Sequence, residues 1–267
     1  MTAQSRSRIA GLLREHGLSP SRRLGQHFLA DPNITRRIVT LAGVTQGAQV
    51  VEVGAGTGSL TRALAAAGGH VVAYEVDAGL IPVLEEETRG LDVELRFLDV
   101  ITADLAADLA GEGWIMVANL PYNVGTPVLL DTLRRVPQIE RFVVMVQHEV
   151  AQRLVAVPGS SHYGIPSVVA GIHARCRLGF RVPPHVFFPP PNVESAVVVL
   201  DRVPAPDGAE RAIEIAAAAF NQRRKMLRRS LGEIFHDPIA VLEHAGLDPT
   251  ARAEDLSPAD FLKLASG

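Results

Sequence analysis

The sequence predicts an α/β protein in which a parallel sheet is covered by helices on both faces and is followed by a small all-helical domain. Two observations lead to this prediction. Between residues 50 and 146, short apolar runs alternate with amphipathic helical patterns, which is typical of βαβ units because their strands are buried on both faces. After residues 203–208 (VPAPDG), which have the composition of a linker, only helical patterns occur. A length of 267 residues accommodates one large domain and one small one.

The first elements are marked by capping residues. Residues 5–16 form an amphipathic helical pattern that Gly17 ends, and a loop over 18–30 follows. Asp31 followed by Pro32 is the pattern of an N-cap residue with proline in the first turn, and it predicts a helix through Leu41.

The remaining elements follow in order. The predicted parallel strands are VVEV (50–53), VVAYEV (71–76), VELRFL (93–98), WIMVA (114–118) and FVVMV (142–146), and the helices between them are LTRALAAAG, LIPVLEEETRG and VLLDTLRRV. Segments near 172–181 and at 195–200 are expected to add antiparallel strands at one edge. The later helical patterns are ERAIEIAAAAFNQ, RKMLRRSLGEIF, IAVLEHAG and PADFLKLA. The predicted domains are therefore a catalytic domain over 1–202 and a helical domain over 203–267.

Composition excludes several classes of protein. Apolar residues make up 47% and charged residues 21% of the chain, which excludes extensive disorder. No run approaches the ~20 apolar residues of a transmembrane helix, and the N-terminus lacks the features of a secretory signal. Cys176 is the single cysteine, and no zinc-ligand spacing occurs. We expect a cytoplasmic, metal-free protein without a membrane partner, and a monomer.

Charge is distributed unevenly along the chain. Residues 1–40 hold seven Arg and two acids (+5), 41–120 hold three Arg and twelve acids (−9), 121–200 hold seven Arg and four acids (+3), and 201–267 hold nine cations and eleven acids (−2). A GC-rich genome explains most of the Arg content, but not the run of five cations in Arg223–Arg229. As a helix this run would place like charges one turn apart, which is repulsive unless an anion lies over it. A solvated face is the usual explanation of such a run; we favour a phosphate-binding surface.

A glycine turn after the first strand indicates a nucleoside cofactor. VEVGAGTG (51–58) places Gly54, Gly56 and Gly58 directly after an apolar strand, where glycine allows close approach of a ligand and positive φ. The dinucleotide pattern G-x-G-x-x-G would need its third glycine at Ser59, and no Lys-Ser/Thr pair follows as in a P-loop.

Acids stand at the ends of three of the predicted strands. Glu75 can accept both ribose hydroxyls, and Asp99 can accept from an adenine amine. Glu52 would place a negative charge beside a cationic cofactor. The alternative explanation is a tight turn with solvated acids that bind no ligand. Because acids occur at the ends of three strands, we favour a cofactor site, and S-adenosylmethionine over NAD as its ligand.

Asn119-Leu120-Pro121-Tyr122 ends the fourth strand and is the candidate for chemistry. The exocyclic amine of adenine is a poor nucleophile because its lone pair is delocalised. A side-chain amide oxygen and a backbone carbonyl that accept from both amine hydrogens localise this lone pair on nitrogen. Pro121 has no donor of its own, and Tyr122 offers a face for stacking. No general base is required, since the amine can lose its proton after attack. In isolation this tetrapeptide would equally be a β-turn.

The ordered set of motifs resembles the rRNA adenine N6,N6-dimethyltransferases. The set comprises Gly25-Gln26-His27-Phe28-Leu29, the glycine turn, Glu75, Asp99, NLPYNVGTP (119–127) and FPPPNVES (188–195), and AFNQRRKMLRRSL (219–231) is similar to the C-terminal motif of the branch that modifies small-subunit rRNA. The resemblance covers about residues 20–232. It implies the Rossmann-like sheet of class I S-adenosylmethionine-dependent methyltransferases.

The resemblance also implies roles for individual residues. The implied cofactor residues are Gln26, His27, Leu29, Gly54, Gly56, Glu75, Asp99 and Asn119. The implied catalytic residues are Asn119, Leu120, Pro121, Tyr122 and Phe188, with Tyr122 and Phe188 on either side of a flipped adenine. The expected RNA-binding residues are Arg22, Arg23, Arg223, Arg224, Lys225, Arg228 and Arg229. His27, Gly125, Met226 and Arg229 depart from the common family residues.

The leading functional hypothesis is dimethylation of two adjacent adenosines in the 3′-terminal hairpin of 16S rRNA, on a precursor of the 30S subunit. One alternative is the related large-subunit rRNA methyltransferase of the macrolide-resistance type, against which the 219–231 motif argues. Another is a non-catalytic ribosome-assembly factor on the same fold. We expect no DNA substrate, because no target-recognition domain is evident.

Overall fold

The structure is a computed structural model that describes residues 4–266. By internal packing the described chain forms two compact units. The first contains the residues up to Ala151 together with Arg177–Arg202, and the second contains Gln152–Cys176 together with the residues from Val203 onward.

A seven-stranded sheet is the centre of the fold. The strands of the protein are β1 (Phe28–Leu29), β2 (Gln49–Val53), β3 (His70–Tyr74), β4 (Val93–Arg96), β5 (Trp114–Asn119), β6 (Ile139–Gln147), β7 (Ala174–Val182), β8 (Phe187–Phe188) and β9 (Ser195–Arg202). The large sheet has the order β4-β3-β2-β5-β6-β9-β7, with β2 to β6 parallel and β9 antiparallel to β6. All five predicted parallel strands are confirmed.

The strand order positions the ligand site. From β2 the chain proceeds to β3 and β4 on one side, and β5 and β6 lie on the other, so the order reverses between β2 and β5. Ligands of open α/β sheets bind beyond the carboxyl ends of the strands at such a reversal. The register Val53 opposite Ala118 places the residues that follow β2 beside Asn119, the last residue of β5.

Helices cover this sheet. Those of the first part of the chain are α1 (Arg6–Glu15), α2 (Pro32–Ala42), α3 (Ser59–Ala66), α4 (Ile81–Thr88), α5 (Leu105–Asp108), α6 (Gly125–Arg135) and α7 (His148–Leu154). The predicted Asp31 cap is confirmed, since its side chain accepts from the Asn33 and Ile34 N–H groups. Ser5, which was not predicted as a cap, accepts from the Arg8 N–H at the start of α1. The sequence did not predict the short α5 or α7.

The second unit is helical. It contains α8 (Ile165–His173), α9 (Ala209–Asn221), α10 (Leu227–Ser230), α11 (Pro238–His244) and α12 (Pro258–Ser266). A row of tilted aromatic rings joins its core, with 6.0 Å between the centroids of Tyr163 and Phe220 and 6.3 Å between those of Phe220 and Phe261. The side chains of Tyr163 and Phe261 are almost completely buried.

The second unit also contains a segment that the sequence assigned elsewhere. A boundary after residue 202 was predicted, and the chain does pass between units there, but residues 152–176 also belong to the helical unit. The reason is their packing: α8 contacts α9 and α12, and the Tyr163 hydroxyl donates to the Leu256 carbonyl at 2.8 Å. Within residues 4–266, no helix is both long and apolar enough to cross a bilayer.

Candidate active site

Two adjoining cavities lie at the carboxyl ends of the central strands. One has a volume of about 520 Å³ and the other about 390 Å³, and Gly54, Val76, Leu120 and Pro121 line both. Other residues of the larger cavity include Gln26, His27, Gly56, Glu75, Asn119 and Tyr122. Asp99 lines the smaller one. The structure therefore brings together, in one continuous space, residues that the sequence predicted from four separate strand ends.

The glycine turn forms the floor of the larger cavity. Gly54, Gly56 and Gly58 all have positive φ, between 60° and 82°, as predicted. A Cβ atom at Gly56 would lie 3.0 Å from the Phe28 ring, so glycine is needed there for packing as well as for conformation. The N–H groups of Gly54 and Ala55 donate to the Tyr74 carbonyl at 2.8 and 3.1 Å, which ties the turn to β3.

Glu75 is a buried carboxylate held by backbone donors. Its Oε2 accepts from the Gly56 N–H at 2.7 Å, and its Oε1 accepts from the Asp77 N–H at 2.9 Å. Burial raises the pKa of Glu75, while the bonds from Asp77 and Gly56 act against this rise. Each carboxylate oxygen can accept a second hydrogen bond. Glu75 can therefore accept hydrogen bonds from a vicinal diol while it keeps those from the Gly56 and Asp77 N–H groups.

The smaller cavity suits a flat, apolar ring with one polar edge. Its walls include the side chains of Tyr74, Leu98, Val124 and Val128, and Asp99 contributes the carboxylate. Asp99 Oδ1 accepts from the Ile101 N–H at 3.0 Å, which fixes the direction of the carboxylate. Together with Glu75 in the neighbouring cavity, this carboxylate gives a pair of hydrogen-bond acceptors that fits the adenine amine and the ribose hydroxyls of S-adenosylmethionine.

Glu52 does not play the predicted part of a negative charge beside the cofactor. It lies within β2, is 1% exposed and lines neither cavity. Among the described residues its Oε2 has no hydrogen-bond partner. Burial, reinforced by the charge of Glu75, raises the pKa of Glu52 to about 8, so this carboxyl is predominantly neutral at pH 7.

Asn119 is oriented by the loop that precedes β1. Its Nδ2 donates to the His27 carbonyl at 3.0 Å, so Oδ1 is the atom left to accept from a substrate amine. Leu120 N–H donates to the Met145 carbonyl at 3.1 Å, and the Pro121 carbonyl accepts from Gly125 N–H at 2.7 Å. A Cβ atom at Gly125 would lie 2.8 Å from Leu120 Cβ, so a larger residue at this position would force the loop to shift.

Tyr122 is held by two residues that are distant in sequence. Its hydroxyl shares a 2.5 Å hydrogen bond with Ser195 Oγ, and Ser195 is completely buried. The His27 ring stacks on the Tyr122 ring, with 5.6 Å between centroids, and His27 Nδ1 donates to the Pro189 carbonyl at 2.8 Å. The sequence assigned no role to Ser195. Its position opposite Gln147, in the register of β9 and β6, brings it to this edge of the sheet.

Phe188 and Leu29 lie beside the cavities rather than in their walls. Strands β1 and β8 pair antiparallel, with Phe28 opposite Phe188 and Leu29 opposite Phe187. Neither Leu29 nor Phe188 lines either cavity. Leu29 is 4% exposed, and its side chain packs in the apolar core. Phe188 is half-buried at the edge of this small ladder.

Gln26 lines the larger cavity but uses its amide within the protein. Its Oε1 accepts from the Ser21 N–H at 2.7 Å, and its Nε2 donates to Asp77 Oδ2 at 2.6 Å. The side chain therefore fastens the loop that precedes β1 to the residues after β3, beside Glu75. Asp77 was not predicted from the sequence as the partner of Gln26.

The basic residues fall into two places. Arg22 and Arg23 are exposed on the loop that precedes β1. The cations of the 223–229 run are also exposed, but the predicted helix over this run is wrong: α9 ends at Asn221, and α10 covers only Leu227–Ser230. Met226 is extended and pairs with Arg252, and the N–H groups of Leu227 and Arg228 donate to the carbonyls of Ala251 and Pro249. These bonds replace the helical ones, so the like charges are not stacked at helical spacing.

Arg223 differs from the other cations of this run. Its Nε donates to Glu254 Oε2 at 2.9 Å, and its Nη2 donates to the Ser161 carbonyl at 3.4 Å. Hydrogen bonds donated by the hydroxyl and the N–H of Thr250 lower the pKa of Asp248, and the nearby charge of Arg228 lowers it slightly further. Arg224, Lys225 and Arg229 have no ion pair among the described residues.

Solved structures with the same fold identify the class of protein. A dimethyladenosine transferase from Plasmodium falciparum superposes with a TM-score of 0.78 at 23% identity, over 89% of this chain and 96% of that one. The 23S rRNA methyltransferase ErmE superposes with a TM-score of 0.69 at 27% identity, over 90% and 98% of the two chains. The fold and the cavity residues define a class I methyltransferase that uses S-adenosylmethionine.

Sequence comparison narrows the class to a family. A profile of the ribosomal RNA adenine dimethylases matches residues 18–266. Curated proteins called ribosomal RNA small subunit methyltransferase A, from Magnetococcus marinus and Leifsonia xyli subsp. xyli, are 44% and 45% identical to this chain; the alignments cover 97% and 94% of it and 95% and 93% of those proteins. The chain belongs to the ribosomal RNA adenine dimethylase family, and it is an S-adenosylmethionine-dependent rRNA methyltransferase.

Proposed function

We propose that the protein dimethylates N6 of two adjacent adenosines in the 3′-terminal hairpin of 16S rRNA, on a precursor of the 30S subunit. The observation that carries the proposal is the orientation of Asn119. Its Nδ2 is engaged by the His27 carbonyl, and the residue lines the same cavity as the glycine turn and Glu75. An amide oxygen fixed in this way accepts from an amine without first having to rotate, which is preorganisation for the reaction.

The chain's own residues activate and hold the target base. Asn119 Oδ1 and a carbonyl of the 119–122 loop accept from the two amine hydrogens, which localises the lone pair on N6. Tyr122 and Phe188 offer aromatic faces, and base stacking at about 1–3 kcal/mol each offsets the few kcal/mol needed to flip the adenine. When bound, S-adenosylmethionine supplies a methyl group on a sulfonium, which is an electrophile. No side chain has to remove a proton before attack.

The cofactor residues divide according to the two cavities. Glu75 binds the ribose hydroxyls, Asp99 accepts from the adenine amine, and Gly54 and Gly56 let the backbone approach the methionyl end. Gln26, His27 and Leu29 act by holding the loop that closes over this end, since the Gln26 amide and the His27 ring have partners within the protein.

We assign RNA binding to the basic surfaces, because residues 41–120 have a net charge of −9 and repel RNA. The 223–229 run, with Arg22 and Arg23 on the other unit, provides phosphate contacts. We further propose a monomer that acts in the cytoplasm, on 16S rRNA and not on DNA or membranes.

The large-subunit alternative has one observation in its favour, the 27% identity and TM-score of 0.69 with a 23S rRNA methyltransferase. Identities of 44% and 45% to proteins called small subunit methyltransferase A, together with the 219–231 motif, favour the small subunit. A purely non-catalytic assembly factor would not need Glu75, Asp99 and Asn119 around one continuous cavity.

Methyl transfer to defined particles tests the proposal. Labelled S-adenosylmethionine is incubated with the protein and with undermethylated 30S particles, 50S particles or DNA, and the nucleosides are then analysed. We expect label in N6,N6-dimethyladenosine from 30S particles alone, at two adjacent positions. Label in 50S particles would instead support the large-subunit alternative, and no transfer to any substrate would support the assembly factor.

A further inference from the structure

The N-terminal segment touches both the cofactor turn and the loop that carries Phe188. The described part of it runs from Gln4 into α1, and no function was predicted for it from the sequence. Arg6 lies on one side of this segment. Its Nη2 donates to the carbonyls of His185 and Phe187 at 2.7 and 2.8 Å, and its guanidinium carbon lies 6.0 Å from the centroid of the Phe188 ring.

Gln4 makes the contact with the cofactor turn. Its side chain is 3% exposed, and both ends of its amide meet Thr57: Nε2 donates to the Thr57 carbonyl at 2.6 Å, and Oε1 accepts from Thr57 Oγ1 at 2.7 Å. Thr57 stands between Gly56 and Gly58. A turn built on three glycines has few conformational restraints of its own, so a buried two-point contact at its centre restricts it strongly.

A buried carboxylate anchors the segment on α4. Glu87 is 6% exposed, and its Oε2 accepts from Gln4 Nε2 at 2.9 Å. Arg8 donates to Glu87 Oε1 at 2.5 Å, and Arg62 on α3 pairs with Oε2. Hydrogen bonds from Gln4 and Arg8 and the charges of Arg62 and Arg8 lower the pKa of Glu87 against the effect of burial, so it remains charged at neutral pH. Removal of one partner would leave this carboxylate undersatisfied.

We propose that the segment from Gln4 to Arg8 positions both halves of the active site. Gln4 fixes the cofactor turn through Thr57, and Arg6 fixes the loop that presents Phe188 to the target adenine. The second half rests on the proposed function, because it takes Phe188 as a stacking face. A planar guanidinium suits Arg6, since one nitrogen reaches two neighbouring carbonyls while the plane stays near an aromatic ring.

This arrangement predicts separate effects for the two residues. Arg6→Gln should leave cofactor affinity within about twofold of wild type. It should lower kcat/KM for 30S particles by about 10- to 100-fold, because small displacements of a positioned base are costly to the rate. Arg6→Lys should restore part of this loss. Gln4→Ala should weaken S-adenosylmethionine binding by about fivefold or more, because the Thr57 carbonyl and hydroxyl lose their buried partner.

The experiment uses the full-length protein, with Arg14→Gln on the exposed face of the same helix as the matched control. Its readouts are thermal melting, calorimetric titration with S-adenosylmethionine, steady-state kinetics on 30S particles, and hydrogen exchange of residues 183–192 and 54–58. Faster exchange in 183–192 for Arg6→Gln, and in 54–58 for Gln4→Ala, with the control unchanged, is the expected result.

Wild-type exchange in both segments, with wild-type kinetics and affinity, would overturn the inference. So would equal losses of cofactor affinity in both variants, since a general loss of folding produces that pattern. An inactive wild type would overturn the proposed function, and the exchange and titration data would still decide this inference.

Discussion

At Glu75, we propose that one carboxylate holds the glycine turn and also binds the cofactor. Its two oxygens accept from the N–H groups of Gly56 and Asp77, and Glu75 lines the larger cavity. Asp99 lines the smaller cavity and, within the described part of the chain, makes no hydrogen bond to the glycine turn. The two residues should therefore contribute to cofactor affinity in different ways. Glu75 should contribute by direct contact and by holding the glycine turn in place, and Asp99 by direct contact alone.

Glu75→Ala and Asp99→Ala should each weaken S-adenosylmethionine binding. Loss of hydrogen bonds that leaves a buried partner unsatisfied costs about 1–3 kcal/mol, roughly 5- to 150-fold in Kd. Isothermal titration of the folded variants measures this effect, and Glu85→Ala, an exposed acid on α4, is the matched control. Unchanged affinity in both variants would remove the assignment of the two cavities.

The role of Ser195 as the hydrogen-bond partner of Tyr122 was not predicted from the sequence. Tyr122→Phe and Ser195→Ala each remove one side of the same buried hydrogen bond, so both should reduce methyl transfer without loss of cofactor affinity. The double variant should be no worse than the poorer single one, because the second change removes nothing further. Single-turnover rates on 30S particles check this, with Ser160→Ala as a control. Additive losses would show that the two hydroxyls act separately.

The predictable residues share one property. Glu75, Asp99 and Asn119 follow strands whose carboxyl ends must meet at one edge of a parallel sheet, so sequence order alone brings them together. Ser195, Pro189 and Asp77 reach the site through hydrogen bonds to Tyr122, His27 and Gln26, and no local pattern records such long-range partners. Glu52 was misjudged because a strand-end acid was assumed to be ionised, whereas burial makes it neutral.

Among the elements, the 223–229 run shows how tertiary bonds override helical propensity. The residues are good helix formers, yet the backbone pairs with the 249–252 segment and the helix stops at Asn221. The small β1–β8 ladder was also not predicted, since two-residue strands far apart in sequence carry no periodic signal. Caps, by contrast, act within four residues, and the Asp31 cap was predicted correctly.

The exposed cations of this run should determine the salt dependence of RNA binding. Each phosphate contact contributes a slope of about −0.7 to −0.9 in log K against log salt, so Arg224→Gln, Arg228→Gln and Arg229→Gln combined should flatten the slope by about 2–3. Arg223→Gln should change it less, because Glu254 already neutralises Arg223. Affinity for 30S particles at several salt concentrations measures the slopes, with Arg89→Gln combined with Arg135→Gln as a control.

Equal slopes for the triple variant and wild type would contradict this role for the 223–229 run. The phosphate contacts would then lie elsewhere, and Arg22, Arg23, Arg36 and Arg37 are the exposed candidates. Cofactor affinity should be unaffected throughout, since the run contributes no residue to either cavity.

At the scale of the whole molecule, the sheet was predictable and the division into units only partly so. Apolar strands alternating with helices specify a parallel sheet with few alternatives, and the linker at 203–208 marks one passage between units. The two other passages, on either side of residues 152–176, have no linker composition. This segment joins the helical unit through the packing of α8 against α9 and α12, and through the Tyr163 hydroxyl, which donates to Leu256, 93 positions away in sequence.

The central claim is that Asn119 activates the target amine in a site where other residues hold the cofactor. Asn119→Ala tests it directly, with single-turnover methyl transfer to undermethylated 30S particles and S-adenosylmethionine titration measured on the same preparation. The account predicts a loss of about 100-fold or more in the rate of N6-methyladenosine formation, comparable to removal of an oxyanion-hole donor, while cofactor affinity changes only a few-fold. Wild-type rates in Asn119→Ala, or a loss of rate fully explained by lost cofactor affinity, would contradict it.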